Sequence, residues 1–328
     1  MIEPIYEREF ATQSYGFRPG KGCKDALRRV DELLRSGKHW VVDADLKSYF
    51  DTIPHERLME RVGEKVADGK VLSLIEGMLQ AGVMDTVEGW QATKQGSPQG
   101  AVISPLLSNI YLNGLDWKMA RKGFEMVRYA DDFVVLCANQ QEAQKALEEI
   151  SHWVEENGLK LHPTKTRIVD ASQRGGFDFL GYHFERGKKW PRKKSLDKLQ
   201  DAVRSKTRRN NGRCMKAICA DLNLTLKGWF GYFQHSVPHV LESIDGYVRG
   251  RLRSILRRRM KRKGRAKGKD HYRWPNTYFL RGGLVLLKTS AHRGTPIFLK
   301  DNHQLESRMH EICQSGASSN ARGKSLPQ

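Results

Sequence analysis

The spacing of apolar residues predicts alternating strands and helices in the first part of the chain. Residues 39–46 form an apolar, β-branched run bounded by charge, which is typical of a buried strand. Helical spacing covers 55–64 and 70–81. A longer helix is predicted from Ser104 to about Lys122, because Pro105 suits a first helical turn, where a missing N–H costs nothing. These patterns predict a mixed helix and sheet structure.

The pattern continues with paired strands. Residues 124–138 predict two short strands joined by a tight polar turn. A polar amphipathic helix follows at 140–157, and TRIVD and FDFLGYHF are two further strand candidates. Strands and helices in this order predict an α+β fold, in which helices pack on an antiparallel sheet.

The pattern changes near residue 190. Residues 195–260 are mostly helical by periodicity, with bulky apolar positions among basic ones. The aromatic side chains of GWFGYF, at 228–233, suit either a helical core or stacking on nucleic acid, and their spacing favours the core. Residues 301–328 have the composition of a disordered tail.

Charge separates the same two parts of the chain. Residues 1–190 carry 26 Lys+Arg and 28 Asp+Glu, whereas 191–328 carry 31 and 9, so the net charge of +20 arises entirely in the second part. This distribution favours a polyanionic partner, with a solubilising basic tail as the alternative. Candidate RNA-binding residues in the basic run are Arg251, Arg253, Arg257, Arg258, Arg259, Lys261, Arg262 and Lys263.

Cysteine spacing and hydropathy argue against zinc-binding, disulfide-rich, secreted and membrane-spanning classes of protein. The five cysteines include no C-x-x-C pair, so neither a zinc site nor a disulfide framework is predicted. The N-terminus lacks the apolar core of a signal peptide, and no apolar run approaches membrane-spanning length. We therefore expect a cytoplasmic protein with reduced thiols and no membrane partner.

Three carboxylates suggest a site for divalent cations. Asp131 and Asp132 lie in the turn YADD between two apolar strands, and Asp45 ends the strand predicted at 39–46. If these strand ends meet in one sheet, the carboxylates would repel one another, and divalent cations would relieve that repulsion. Two Mg²⁺ ions held there suit displacement at phosphorus. Ordinary turn chemistry is the alternative explanation for adjacent Asp residues.

Several sequence motifs that follow one another in order are stronger evidence of a family resemblance than any one motif alone. They are SYGFRPGKG (14–22), VVDADLKSYFDTIPH (41–55), QGSPQGAVISPLLSNIYL (95–112), YADD (129–132), GLKLHPTKT (158–166), FDFLGYHF (177–184) and, after them, GWFGYF (228–233) with RWPNTYFLRGGL (273–284). Together they resemble the reverse transcriptases/maturases encoded by group II introns. The resemblance implies a right-hand polymerase palm followed by an α-helical, basic thumb/maturase domain.

The resemblance implies roles for individual residues. Asp45, Leu46, Asp131 and Asp132 would contribute to the site for two Mg²⁺ ions, and Lys165 would protonate pyrophosphate. The residues implied in substrate binding are Arg18, Lys21, Phe50, Gln99, Gly100 and Tyr129. Phe50 would exclude a 2′-hydroxyl, although a core Phe is the alternative. Arg18, Lys21 and Lys165 also suit solvated surface charges, and Asp51 is interpreted as structural.

The implied domains are a fingers/palm junction at 1–38, the palm at 39–188, the thumb/maturase domain at 189–300 and the tail at 301–328. Implied partners are intron RNA, a template–primer duplex, target DNA and deoxynucleoside triphosphates. The family has about a hundred residues before SYGFRP, whereas thirteen residues precede Ser14 here, so either an N-terminally truncated copy or fragment, or a gene that begins upstream of Met1, is expected. No endonuclease motif follows the thumb segment.

Three functions remain open at this point. The first is an RNA-directed DNA polymerase with maturase activity, which the three intact aspartates favour. The second is a non-catalytic splicing cofactor or inactive remnant, which the short N-terminal region favours. The third is another class of bacterial reverse transcriptase, and QGSPQGAVISPLL with the thumb-like segments argues against it.

Overall fold

The computed structural model describes residues 2–81, 83–85, 89–91, 95–97, 101–262 and 268–288. The chain divides into two compact units, which we call the first unit (1–187) and the second unit (188–328). The sequence prediction placed the start of the thumb one residue later, at 189.

The first unit contains seven helices and eight strands among its described residues. The helices are α1 (Glu3–Glu7), α2 (Cys23–Arg35), α3 (Tyr49–Thr52), α4 (His55–Gly63), α5 (Gly69–Gln80), α6 (Ser104–Arg121) and α7 (Gln140–Glu156). The strands are β1 (Trp40–Asp45), β2 (Val83–Asp85), β3 (Gly89–Gln91), β4 (Glu125–Tyr129), β5 (Asp132–Cys137), β6 (Arg167–Asp170), β7 (Phe177–Phe179) and β8 (Tyr182–Glu185). The α+β prediction is confirmed.

A four-stranded antiparallel sheet forms the centre of the first unit, in the order β4-β5-β1-β6. Successive side chains of a strand point to opposite faces. Val42 and Ala44 on one face of β1 therefore join a core that includes residues of α6 and α7, whereas Asp43 and Asp45 lie on the other face and are only half-buried. The apolar run predicted as a strand is thus the central strand that carries Asp45 to the edge of the core.

Helix α2 had no counterpart in the sequence prediction. It begins with a hydrogen bond from the Gly22 backbone N–H to the Asp25 carboxylate, which caps the first turn. It buries Ala26, Leu27, Val30 and Leu33, and packs against β4. Charged residues between those positions obscured the periodicity.

The segment FDFLGYHF corrects another prediction, because it forms two strands and not one. β7 and β8 pair as an antiparallel hairpin in which Phe177 lies opposite Phe184. Leu180 and Gly181 form the turn with positive φ angles of 46° and 83°. Two consecutive residues with positive φ are characteristic of tight hairpin turns.

The second unit is mainly helical, as predicted. Its elements are β9 (Lys188–Pro191), α8 (Lys193–Lys206), α9 (Met215–Phe233), α10 (Pro238–Arg259), α11 (Gly268–Arg273) and α12 (Asn276–Arg281). Phe230 and Phe233 of GWFGYF are buried, and Trp229 packs partly against the same core, which confirms the core interpretation for these side chains.

Buried polar side chains fix the end of the described second unit. Asn223 accepts a hydrogen bond from the Val285 backbone N–H, and Asp245 accepts from the backbone N–H groups of Leu287 and Lys288. Desolvation is the largest effect on Asp245 and raises its carboxyl pKa. These contacts tie the segment after α12 to α9 and α10.

Several predictions fall on residues that the structure does not describe, namely Gln99, Gly100, Lys263 and the tail at 301–328. Within the described part of the chain, no helix is long and apolar enough to cross a membrane. None of the four described cysteines forms a disulfide bond.

Candidate active site and basic surface

The three predicted carboxylates lie at one end of the central sheet. Asp45, the last residue of β1, is directly opposite Asp132, the first residue of β5. Tyr129 is opposite Asp132 on the other side, on β4. Directly opposite residues of an antiparallel pair point to the same face. Asp45, Asp132 and Tyr129 therefore form a row across three strands, and Asp131 lies in the turn beside it.

The β4–β5 turn is held by the buried side chain of Arg128. Its guanidinium donates to both carboxylate oxygens of Asp116, at 2.7 Å and 2.5 Å, and neither side chain is exposed. It also donates to Asn109 Oδ1 at 2.9 Å, to Ser14 Oγ at 2.8 Å and to the carbonyl oxygen of Ala130 at 2.8 Å. The last bond fixes the turn residue that precedes Asp131.

The N-terminal motif SYGFRPG packs directly against this turn. The Tyr15 backbone N–H donates to the Arg128 carbonyl oxygen at 2.8 Å, and Asn109 Nδ2 donates to the Gly16 carbonyl oxygen at 2.8 Å. A Cβ atom on Gly16 would lie 2.3 Å from the backbone nitrogen of Ala130. Only glycine permits this approach. The motif therefore packs against the turn that carries Asp131 and Asp132.

Lys165 lies at the same end of the sheet. Its Nζ is 2.9 Å from Asp45 Oδ2. The segment before it runs along the end of β1, because the His162 backbone N–H donates to the Asp45 carbonyl oxygen at 2.7 Å and Leu46 bridges to Leu161. The Leu46 side chain is buried, so only backbone atoms of Leu46 can contribute to a metal site.

Phe50 lies in α3, just beyond β1, and packs partly against the core with its ring 5.3 Å from that of Tyr49. Its carbonyl oxygen accepts from the Ser97 backbone N–H at 2.6 Å. Gly96 also packs against this backbone, since an added Cβ would lie 2.7 Å from the Phe50 oxygen. The start of the QGSPQG motif is therefore held next to the Phe50 backbone by a hydrogen bond and close packing.

Arg18 and Lys21 make internal contacts. Arg18 is 9% exposed and its guanidinium binds the Glu7 carboxylate at 2.6 Å and the Ala11 carbonyl oxygen at 2.6 Å. Lys21 donates to the Thr12 and Ser14 carbonyl oxygens at 2.8 and 3.2 Å. Burial, followed by the nearby Arg18 cation, lowers the pKa of Lys21. These contacts brace the N-terminal segment, and triphosphate binding by either residue stays a prediction.

The surroundings of Tyr129 raise the pKa of its hydroxyl. A hydrogen bond with the Cys23 thiol, at the start of α2, and then burial raise the pKa of Tyr129 to about 12. The Tyr129 ring lies 6.1 Å from that of Phe17. Tyr129 is therefore a neutral aromatic side chain beside the carboxylates.

The donor chemistry of this site suits Mg²⁺. Carboxylate oxygens are the ligands that Mg²⁺ prefers. Burial raises the pKa of Asp131, and the Asp45 carboxylate raises it further, which is the repulsion that a divalent cation would remove. Among the described residues, no three His, Cys, Asp or Glu side chains stand close enough together to hold a metal ion without rearrangement. Asp45 is instead engaged by Lys165.

Comparison with known protein families identifies the family of the chain. Residues 1–184 match the family model described as reverse transcriptase (RNA-dependent DNA polymerase). The chain belongs to the reverse transcriptase family. Residues 196–274 match the model described as group II intron, maturase-specific domain. The expected family, a group II intron reverse transcriptase/maturase, is thereby confirmed.

Individual relatives agree with the family models. Protein YkfC of Escherichia coli strain K12 is 35% identical over 56% of this reverse transcriptase chain and 58% of its own length. Group II intron-encoded protein LtrA of Lactococcus lactis subsp. cremoris is 42% identical over 35% of this chain and 19% of its own. An uncharacterized 91 kDa protein in the cob intron of Schizosaccharomyces pombe is 30% identical over 52% and 28%. The chain thus spans less than two thirds of each relative.

The basic run of the second unit divides into internal and exposed members. Arg253 is 3% exposed and donates to the Trp274 carbonyl oxygen and Asn276 Oδ1. Arg251 donates to the Thr207 hydroxyl and carbonyl oxygens, and Arg257 binds Asp270 at 2.7 Å. Arg259 donates to the carbonyl oxygens of residues 211 and 213. The structure assigns these four arginines to internal contacts.

Three other members of the run are exposed to solvent, namely Arg258, Lys261 and Arg262. Arg262 lies 3.9 Å from the shared Asp270 carboxylate. Arg258 lies in the last turn of α10, and Lys261 and Arg262 follow it, so these three are the most exposed described members of the predicted RNA-binding run.

Sequence reasoning missed Arg128, Asp116 and Asn109, which position the β4–β5 turn. A signal was present, because Arg128 interrupts an apolar strand, and a fully buried charge is rarely unpaired in a native protein. The sequence did not indicate that Asp116 is the partner of Arg128, because Asp116 lies on a helix that packs against the sheet and not on a neighbouring strand.

Proposed function

We propose that this reverse transcriptase is the RNA-directed DNA polymerase and maturase of a group II intron. The observation that carries the proposal is the register that sets Asp45 opposite Asp132 beside the turn residue Asp131. Three carboxylates at one end of a sheet form the kind of site that holds metal ions for phosphoryl transfer. Membership of the reverse transcriptase family supports the same reaction.

Asp45, Asp131 and Asp132 would hold two Mg²⁺ ions. When bound, the ions supply positive charge that activates the 3′-hydroxyl of a primer and stabilises pyrophosphate. Asp45 would then exchange its contact with Lys165 Nζ for the metal site. Lys165 would carry a proton next to the leaving group, since its Nζ already lies at this end of the sheet, 2.9 Å from Asp45 Oδ2 before any metal binds.

The proposed substrates are deoxynucleoside triphosphates and a template–primer duplex, with target DNA supplying the primer during insertion. Phe50 would exclude the 2′-hydroxyl of a ribonucleotide. It follows Asp45 in α3, and its backbone is held by the 95–97 segment, so its ring has a fixed support. The protein would act in the cytoplasm, close to the nucleoid.

The second unit would bind intron RNA and assist splicing. The match to the maturase-specific domain supports this role. Arg258, Lys261 and Arg262 are exposed cations of the kind that bind phosphates through counterion release. Side chains cannot enter the narrow major groove of A-form RNA, so we expect contacts with the backbone and the minor groove.

Primer extension on an RNA template tests the polymerase. Asp131→Ala should lower the rate of Mg²⁺-dependent extension at least about 100-fold, because loss of a metal ligand removes several kcal/mol of stabilisation from the transition state. Affinity for RNA should stay within about twofold, since the second unit is unchanged.

Glu155→Ala, an exposed carboxylate at the end of α7, is the matched control and should extend at the rate of the unaltered chain. If the unaltered chain binds RNA but does not extend a primer, the polymerase proposal fails. A non-catalytic splicing cofactor would then be the better account.

A further inference from the structure

Residues 95–97, which we call the clasp, are bound to the backbone between β1 and α4. The Ser97 backbone N–H donates to the Phe50 carbonyl oxygen at 2.6 Å. The Gly96 backbone N–H donates to the Ile53 carbonyl oxygen at 2.8 Å. Gly96 has a φ angle of +88°, and an added Cβ atom would lie 2.7 Å from the Phe50 carbonyl oxygen. Glycine is therefore required here both for the backbone conformation and for the close approach.

His55 binds the clasp from α4. It is the first residue of that helix, and its Nε2 atom lies 2.5 Å from the Gly96 carbonyl oxygen. A carbonyl oxygen only accepts hydrogen bonds, so Nε2 carries the proton and donates it. The first turn of a helix favours a carboxylate, which could not donate this bond. The residue type at position 55 therefore fits the need to hold the Gly96 carbonyl group.

The clasp is also attached to α6. The Ser97 hydroxyl donates to the Ser104 hydroxyl at 2.7 Å, and both side chains are buried. Ser104 is the first residue of α6. The clasp thus makes hydrogen bonds to α3, α4 and α6, so a shift of the clasp would be passed to α3.

Helix α3 depends on such contacts for its position. It has four residues, and a helix of one turn gains too little from its own hydrogen bonds to persist alone. Ser48, which precedes it, has a φ angle of +48°, a strained conformation that persists where the surroundings impose it. The Tyr49 hydroxyl donates to the Ser108 carbonyl oxygen at 3.0 Å. The clasp holds the next residue, Phe50, through its carbonyl oxygen.

We propose that His55 is a positioning residue that sets the selectivity for deoxynucleotides over ribonucleotides. Through Gly96 and Ser97 it keeps the Phe50 backbone in place without contacting the nucleotide itself. This role rests on the proposed polymerase function, in which the Phe50 ring excludes a 2′-hydroxyl. Without the His55 hydrogen bond the clasp can shift, and the Phe50 ring then yields to the additional hydroxyl.

His55→Phe tests this role, because it keeps a planar ring and removes the donor. The assay is extension of a primer by one nucleotide on an RNA template, with kcat/KM measured for a deoxynucleotide and for the matching ribonucleotide. The ratio of the two values should fall about fivefold, as expected for the net loss of one hydrogen bond. The fall should come from a higher kcat/KM for the ribonucleotide. His55→Gln, whose amide nitrogen can donate in place of Nε2, should keep the ratio within about twofold.

A double-mutant cycle with Phe50→Ala shows whether His55 acts through Phe50. Phe50→Ala alone should lower the ratio, and His55→Phe added to it should lower the ratio no further, because the ring that it positions is gone. Urea unfolding shows whether each variant folds. Ser97→Ala, which releases the clasp from α6, repeats the cycle should His55→Phe unfold. His152→Phe, at an exposed position of α7, is the matched control and should keep the ratio of the unaltered chain.

An unchanged ratio in a folded His55→Phe variant would overturn the positioning role, and a lower urea midpoint alone would show a structural role instead. An equal fall in His55→Gln, or a fall that persists in the Phe50→Ala background, would also overturn it. If Phe50→Ala lowers the ratio and His55→Phe does not, the proposed function stands while the positioning role fails. If the unaltered chain does not extend primers, the proposed function fails and the positioning role fails with it.

Discussion

The two units of the molecule each bury an arginine, but they satisfy it differently. Arg128 in the first unit binds the buried carboxylate of Asp116 with two hydrogen bonds. Arg253 in the second unit donates to the neutral oxygens of Trp274 and Asn276 and lies 5.2 Å from the Phe279 ring centroid. Burial, and then the nearby Arg249 cation, lowers the pKa of Arg253.

The difference reflects the supply of carboxylates. In the second unit, acids are shared, since Asp221 binds both Lys206 and Arg213, and Asp270 binds Arg257 and lies near Arg262. The two bases lower the pKa of Asp221. A unit with few carboxylates for its many basic residues keeps a net positive charge, which suits a polyanionic partner. The first unit neutralises its buried cation, which suits a rigid β4–β5 turn.

The largest effect should come from Arg128→Met. Because it leaves the Asp116 carboxylate buried and unpaired, the free energy of unfolding should fall by about 3–5 kcal/mol. Urea unfolding followed by intrinsic fluorescence measures this loss. Adding Asp116→Leu should restore most of it, since the buried charge is then gone. A loss below about 1 kcal/mol for Arg128→Met would show that the pair does not support the first unit.

A smaller loss is expected for Arg253→Met. The substitution leaves neutral acceptors without a donor, which costs about 1–3 kcal/mol, and it leaves no buried charge behind. The same urea experiment applies, with exposed Arg258→Met as the control. A loss as large as that of Arg128→Met would contradict the distinction between the two arginines.

The smallest effect on stability, and a clear effect on binding, should come from replacing Arg258, Lys261 and Arg262 together with glutamine. Loss of three phosphate contacts should reduce the slope of log K against log salt by about 2, because each contact contributes roughly 0.7–0.9. Titrations with RNA at several salt concentrations measure the slope. Replacement of Lys24, Arg121 and Lys145, exposed in the first unit, is the charge-matched control. An equal change of the salt slope in both triple variants would contradict a special role for the basic run in RNA binding.

Local pattern predicted most helices and strands, because apolar spacing is visible in a short window of sequence. The helices near 55–64, 70–81, 104–122 and 140–157 were found within one residue of α4, α5, α6 and α7. The pattern failed where the local signal was mixed. Charges obscured α2, and FDFLGYHF looked continuous because its turn uses Leu180.

The sequence by itself determined the family, the α+β fold, the asymmetry of charge and the identity of the three carboxylates. Only the tertiary structure decided which charges face solvent. Arg253 donates to the Trp274 carbonyl oxygen, 21 positions away along the chain, and Arg128 donates to Ser14, which is 114 positions away. Such contacts depend on which layers pack together. No short window of sequence contains both partners of a long-range pair, so residue type and spacing identified the chemistry but could not assign each side chain to the core or the surface.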